Sequence, residues 1–343
     1  MEATDHDLQL FHDCFVANGS PRSLEMLRWQ YFEPKAGPLL VDLALTRGPS
    51  PRLAAIYAVC PMTMHAMGRR VLGLQSLNTL TDEAFRGRGL FVSMATALYE
   101  RSKKIGAEMV YGFPNGNSAH GIFKRLQWET LDPMPIVFRP MRTGYLLKKL
   151  RLGTLAKMFD LPLAISRAPK LPAGYELRTM SDATESFTAV WEQFARAFDY
   201  AVAREADFLK WRLRRPDAQY EIVGLFAAER LVGFGITGVT TSPDGDDIGK
   251  VMELVFDPAN THAAQLLAEE MMHRLKKRGC AVAWAWNFEH SPNHAALRRV
   301  GFVALPRRLQ PLEAHAGVRA FNPTPNFGKR ERWYLSLLDS DTD

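Results

Sequence analysis

A chain of 343 residues has room for two or three ordinary domains, and 47% hydrophobic with 23% charged residues is the composition of a soluble globular protein. The formal charge of +6 favours anionic ligands, but Lys and Arg are spread along the chain and nothing in their placement demands nucleic acid. Cys14, Cys60 and Cys280 are odd in number and lack CxxC spacing, which argues against a disulfide framework or a zinc site. The polar start MEATDHD is no secretory signal and no apolar run reaches the length of a membrane span, so a cytoplasmic protein is expected.

In chain order, LLVDLALTR (39–47), PRLAAIYAVCPM (51–62) and RVLGLQSLNTLT (70–81) read as strands, from their alternation and β-prone residues. A helix is predicted from about Gly89, with Leu90, Met94, Ala97, Leu98 and Ile105 at a 3.6-residue period. Lys103 and Lys104 suit its last turn and Gly106 its stop. EMVYGF (108–113) is a strand, NSAHGIFKRL (117–126) a helix and TLDPMPIVFRP (130–140) a final strand. The segment 140–172 then holds a short basic amphipathic helix and a Pro-punctuated end, Ala168–Pro172. That helix is either a membrane or partner contact or a connector whose Leu face packs on a domain. YEIVGLFAAE (220–229), RLVGFGITG (230–238) and GKVMELVF (249–256) are strands again. A helix runs to Arg278, AVAWAW (281–286) is a strand, His294–Val300 a helix, and KRERWYLSLLDS (329–340) a closing strand.

The second half repeats the first. LRWQYFEP (27–34) resembles LKWRLRRP (209–216), KKIGAEMVYGF (103–113) resembles KKRGCAVAWAW (276–286), and NSAHGIFKRLQWE (117–129) resembles SPNHAALRRVGFV (291–303). Three matches in one order at similar offsets point to two copies of one domain. The expected domains are 1–140, a linker 141–172 and 173–343. Each is an α/β (α+β) layer, a mixed sheet with helices inserted. The GxG turn is not followed by the acidic residue of a dinucleotide fold.

TDEAFRGRGLFVSMATAL (81–98) carries the sharpest signal. A glycine-rich turn before a helix presents backbone N–H groups that have no partner inside the helix. With the helix dipole these favour phosphate. Gly87 and Gly89 permit close approach and unusual φ, and Arg86 and Arg88 add charge-assisted donors. The alternative is a basic surface turn that starts an ordinary helix. Arg86-Gly87-Arg88-Gly89-Leu90-Phe91, after a strand and before a long helix, resembles the coenzyme A loop R/Q-x-x-G-x-G/A of the GNAT acyltransferase superfamily, with Phe91 in place of the last small residue. NSAHGIFKRLQW resembles that family's N-x-x-A-x-x-L-Y-x-K-x-G-F helix, at Ala119, Ile122, Phe123, Lys124 and Trp128.

The resemblance implies two tandem GNAT-like domains, each a mixed, mostly antiparallel twisted sheet flanked by helices. It implies acetyl-CoA or another acyl-CoA as co-substrate, bound by Thr79, Leu80, Thr81, Arg86, Gly87, Arg88, Gly89, Leu90, Phe91, Asn117 and Phe123. It implies direct attack of an amine on the thioester, with a backbone N–H as oxyanion donor and a base within reach. LxWxxxxP, RGxGLF and FPN together look like the tandem group that includes acylators of nucleotide-linked amino sugars. In the second copy PANTHAAQ (258–265) replaces the loop with no glycine and no arginine, so one coenzyme site per chain is expected, in the first copy.

The base is less legible. Gln75, Ser76 and Asn78 stand on the strand where many members carry a carboxylate. Glu253 is the strand carboxylate available, in the second copy, and His120 follows the helix start with a suitable pKa range. Glu253 alternatively faces solvent or pairs with Arg, and His120 alternatively caps or packs. Phe123 stands where the family often has a proton-donating Tyr. Glu289, His290 and His294 do not make a metal set, since Pro292 interrupts them, and no metal is expected. Trp284 and Trp286 are core or a flat platform. The readings left open are a small-molecule N-acyltransferase (acting on an amino sugar, a peptide or an antibiotic amine), a non-catalytic acyl-CoA-binding scaffold, and a nucleic-acid binder, for which no recognition motif is present. A homodimer is left open.

Overall fold

The computed structural model describes residues 5–33, 36–37, 40–149, 152, 159–163, 167–305 and 315–340. In chain order come α1 (Asp5–Ala17), α2 (Leu24–Phe32), β1 (Leu40–Leu45), β2 (Leu53–Ala66), β3 (Arg69–Thr81), α3 (Leu90–Lys104) and β4 (Ala107–Gly112). α4 (Gly116–His120) runs into a π turn, Gly121–Arg125, followed by β5 (Glu129–Thr130), β6 (Ile136–Pro140) and α5 (Thr143–Lys149). The rest are β7 (Tyr175–Met180), α6 (Glu185–Phe194), β8 (Tyr200–Val202), α7 (Ala206–Leu213), β9 (Tyr220–Ala227), β10 (Arg230–Thr241), β11 (Asp247–Phe256), α8 (Thr261–Lys277), β12 (Val282–Trp286), α9 (His294–Arg299), β13 (Val303–Ala304) and β14 (Gly317–Ala320).

The chain packs as two compact units. The first takes the described residues of Met1–Met134, Arg214–Asp217 and Leu312–Arg332. Its sheet has the order β1-β2-β3-β4-β14-β5, antiparallel except for the β3–β4 pair. Met67 and Gly68, with φ of 51° and 79°, make the tight β2–β3 turn whose left-handed pair matches strand twist. α3 is the crossover that a parallel pair requires. It buries Ala95, Leu98 and Tyr99 against Tyr57, Val59 and Leu74, and each large side chain so buried contributes about 1.5–3 kcal/mol. Helix α1 was not among the sequence expectations, yet Leu8, Phe11, Cys14 and Phe15 bury one face at the i, i+3, i+4 spacing that would have found it.

The second unit takes the described residues of Pro135–Leu213, Ala218–Pro311 and Trp333–Asp343, with sheet order β13-β6-β12-β11-β10-β9-β7. Its core joins Phe187, Trp191 and Phe194 of α6 to the sheet and to Leu267, Met271 and Leu275 of α8. Gly235 lets α8 lie close: a Cβ there would stand 2.4 Å from Met271 Sδ.

Two sequence expectations change. Ile136–Pro140 reads as the last strand of the first copy, but β6 lies between β12 and β13 of the second sheet. The corresponding place in the first sheet, between β4 and β5, is taken by β14. Periodicity shows that such a strand is buried, not which sheet buries it. The tail 329–340 is not a strand. Trp333, Tyr334 and Leu335 are buried between short 3₁₀ turns, and Ser336 and Asp339 form a capping box, local bonding that competes with a ladder. Of the basic helix, Thr143–Lys149 is helical, and residues 150–151 and 153–158 lie outside the described residues.

Candidate active site

The site of the first unit is built on a fork. β3 and β4 pair in parallel from Leu72↔Ala107 to Ser76↔Gly112. β3 then continues to Thr81, paired with β2 on its other edge. Ala58 faces Leu77 and Ile56 faces Leu80, so Asn78 and Thr79 both stand opposite Tyr57 in a bulge. Asn78 takes the left-handed conformation (φ 47°), and its amide donates to Gln30 Oε1 on α2. The stretch that includes Thr79, Leu80 and Thr81 is therefore a half-buried strand segment beyond the point where β4 has ended.

Beyond Thr81 the Asp82 carboxylate caps a 3₁₀ turn, accepting from Ala84 N at 2.9 Å. Gly87 and Gly89 follow with φ of 78° and 75°, a region that costs an L-residue roughly 1–2 kcal/mol. Gly89 is the N-cap of α3 and brings no side chain to cap it. The first helical bond closes from Ser93 N to Gly89 O at 3.1 Å, so the N–H groups of Leu90, Phe91 and Val92 precede the intrahelical ladder. No heavy atom lies within 4 Å of where a Cβ would stand at Gly87 or Gly89. Arg86 donates to Thr81 O and Glu83, and Arg88 to Ala84 O, all at exposed positions. An uncapped helix start, two left-handed glycines and two guanidinium groups suit a pyrophosphate.

Side chains under the fork form a hydrogen-bonded run. Trp128 Nε1 donates to the Tyr99 hydroxyl at 3.2 Å, the Tyr99 and Tyr57 hydroxyls are 2.5 Å apart, and the Tyr57 hydroxyl is 3.2 Å from Ser76 Oγ. Burial pushes the Tyr57 phenol up to about 12 and raises that of Tyr99 as well.

Phe91 packs edge-on against Tyr57, and a Cβ on Gly121 would stand 3.1 Å from the Phe91 ring, so α3's first turn meets the π turn after α4. Two residues further, half-buried Phe123 meets the ring of His315 edge-on at 6.0 Å. The Nδ1 of His315 is hydrogen-bonded to Asp132 Oδ2, while Asp132 Oδ1 accepts from Ala316 N at 3.1 Å. His315 N donates to Pro114 O, just past the end of β4. The sequence reading missed this Asp–His pair. Its members are 183 positions apart, and only the placement of β14 beside β4 and β5 brings them together.

Of the expected site residues, Thr79–Thr81, Arg86–Phe91 and Phe123 lie along the fork, the loop and the two helix starts of one unit. His120 is exposed at the end of α4. The side chain of Asn117 lies outside the described residues. Glu253 belongs to the second unit and is 1% exposed. It receives Arg204 Nε at 2.6 Å, Ser336 Oγ at 2.8 Å, Leu254 N at 2.9 Å and the Tyr334 hydroxyl. Arg204, itself fully buried, also donates to Asp339 Oδ2 at 2.7 Å. His290 bonds Trp333 O and His294 bonds Asn287 Oδ1. Among the described residues no three His, Cys, Asp or Glu side chains converge as a metal set, and no helix is long and apolar enough to cross a membrane.

Residues 2–131 match the family described as acetyltransferase (GNAT) domain. No curated protein matches the chain. Among solved structures, a tandem GNAT protein from the clavulanic acid biosynthesis pathway aligns with a TM-score of 0.56 at 14% identity, over 94% of this chain and 98% of its own. A GCN5-related N-acetyltransferase from Anabaena variabilis gives 0.59 at 12% identity, over 94% and 72%. A probable N-acyltransferase from Enterococcus faecalis gives 0.61 at 12%, over 93% and 72%. At these identities the likeness is one of fold. Residues 2–131 thus match a GNAT domain, and the two mixed sheets flanked by helices give the whole chain the fold of two GNAT-like domains in tandem.

Proposed function

We propose that the protein transfers an acyl group, acetyl in the first instance, from acyl-CoA to a primary amine of a small molecule, with an amino sugar as the first acceptor to try. The observation that carries this reading is continuous along one chain segment. The β3 edge is released by β4 after Ser76, and it leads through left-handed Gly87 and Gly89 into the uncapped start of α3. The released edge suits the amides of a pantetheine arm, and the helix start suits the pyrophosphate.

The amine must lose a proton during attack. His315 is our candidate acceptor, because Asp132 fixes its ring beside Phe123, where the family's proton-handling Tyr would stand. A positioned general base contributes roughly 10²–10⁴-fold. His120 is the second candidate. Glu253 we assign to structure, since it is fully buried and already receives four donors within the second unit. β14, which follows the second repeat in the chain, completes the first sheet beside β4 and β5.

A second reading, a non-catalytic acyl-CoA-binding protein, is favoured by Phe123 in place of Tyr. Acetyl-CoA and a panel of amines that includes nucleotide-linked amino sugars distinguish the two by thiol release. Tight coenzyme binding without turnover supports the second reading. In Gly89→Glu, calorimetric titration is expected to detect no coenzyme binding, because a carboxylate and an unfavourable φ enter the helix start. Undiminished affinity in that folded variant removes the site assignment.

A further inference from the structure

Trp128 fixes the direction of the hydroxyl run beneath the fork, because an indole N–H only donates. Its donation makes the Tyr99 oxygen an acceptor. Two proton orders remain for the Tyr99–Tyr57 contact. If Tyr57 donated to Tyr99, the Tyr99 oxygen would accept twice and its own proton would need another acceptor. Tyr99 is 1% exposed, the Arg319 guanidinium lies over its ring at 5.2 Å, and Arg319 has no lone pair to offer. A buried donor without an acceptor costs about 1–3 kcal/mol. The order that places every buried proton is Trp128 to Tyr99, Tyr99 to Tyr57, and Tyr57 to Ser76.

Ser76 Oγ then accepts from Tyr57, and its own proton is directed away from the run. Ser76 is half buried and stands on the last rung before β3 and β4 separate. Its partner on that rung is Gly112, where a Cβ would lie 3.0 Å from Ser76 O and 3.4 Å from Ser76 Cβ. Glycine thus keeps the fork clear beside the hydroxyl. Successive hydrogen bonds polarise one another, so the last donor of such a run is strengthened.

We infer that Ser76 donates a hydrogen bond to the thioester carbonyl oxygen and holds the oxyanion that develops there, alongside a backbone N–H. The inference rests on the acyl-CoA reading above. The amine nitrogen forms the new C–N bond as the carbonyl π pair moves onto the oxygen held by Ser76. That pair returns as the C–S bond breaks, and sulfur leaves with the bonding electrons. The nitrogen gives up one proton and the sulfur gains one, so the products are the amide and the free thiol. Ser76, Tyr57, Tyr99 and Trp128 keep their protons throughout. Ser76 touches the reacting atoms, and the other three are positioning residues.

Isotope-edited infrared spectroscopy of [1-¹³C]acetyl-CoA bound to the full chain tests this without an acceptor amine. Removing the donor in Ser76→Ala is expected to move the bound carbonyl band to higher frequency. Tyr57→Phe is expected to move it less in the same direction, Trp128→Phe least, and Ser76→Thr is expected to retain the wild-type band. With an amine that turns over, Ser76→Ala is expected to lower kcat by about 10²-fold, the scale of one oxyanion donor, with little change in coenzyme affinity. A wild-type band in Ser76→Ala, with acetyl-CoA bound, overturns the inference and leaves the acyl-CoA reading standing. Where Ser76→Ala does not fold or bind, an unmoved band in Tyr57→Phe overturns it. Failure of the wild-type chain to bind acetyl-CoA overturns the acyl-CoA reading and the inference together.

Discussion

Both sheets contain a fork, and they use it differently. In the first unit the strands part after Ser76↔Gly112, and in the second β11 and β12 pair only to Val251↔Ala285 before β11 continues to Phe256. A bulge follows both forks, at Asn78 and Thr79 in the first and at Met252 in the second, but beyond the first lie two left-handed glycines and a helix without a side-chain cap. Beyond the second, the Leu254 carbonyl accepts from Asn293 Nδ2 at 3.1 Å, and the next side chain back, Glu253, is enclosed by Arg204, Tyr334 and Ser336. The start of α8 is capped as well: Asn260 Oδ1 accepts from Ala263 N at 3.2 Å, and Asp257 Oδ1 from Ala259 N at 3.1 Å. A cleft of about 410 Å³ remains beside it, lined by Phe256, Pro258, His262, Gln265 and Arg299. The same architecture has spent its loose donors and acceptors on itself in one copy and kept them in the other.

The comparison breaks most visibly at Arg204. Arg204→Met leaves Glu253 and Asp339 buried without their counter-charge, and removing one partner of a buried ion pair typically costs 3–5 kcal/mol. Urea unfolding followed by tryptophan fluorescence is expected to show a loss of about that size. A loss below about 1 kcal/mol would mean that the enclosed carboxylates contribute little to the second unit. Next in size is the imidazole of the first unit. His315→Ala is expected to lower kcat by about 10²-fold with an acceptor amine, the lower end for a general base, and Asp132→Asn by less. His120→Ala should then be near neutral, and a reversal of the two would transfer the role to His120. The smallest effect sharpens the loop contrast. Asn260→Ala removes a cap worth about 1 kcal/mol from α8 and is expected to leave coenzyme affinity untouched. Weakened acetyl-CoA binding in that variant would place the coenzyme in the second unit.

The loop was readable because its chemistry is local. Glycines, arginines and a helix start within one short segment declare φ, charge and donors without reference to the rest of the chain. The doubling was readable from repeated strings, and the helix from Gly89 from its apolar spacing, while α1, α2, α6 and α7 went unread. Partnership across the sheets was not. Ile136–Pro140 has the composition of a buried strand in either sheet, and His315 has no local sign that Asp132 is its neighbour. Glu253 stood out as a carboxylate on a strand, but its meaning depends on Arg204, which sequence reasoning had no cause to pair with it. Ser76 was visible only as the absence of an acid. Its directed proton follows from Tyr57 on β2, Tyr99 on α3 and Trp128 in the connection before β5.

The traded strands also bear on how such a gene can change. β14 is encoded after the second repeat and lies inside the first sheet, between β4 and β5, while β6 is encoded with the first repeat and lies inside the second. Splitting the gene between the repeats would give two polypeptides, each lacking an interior strand and each with rows of peptide groups left without partners. Loss of the chain beyond the first repeat would take β14 and His315 out of the first sheet, so the first sheet depends on residues encoded after the second repeat.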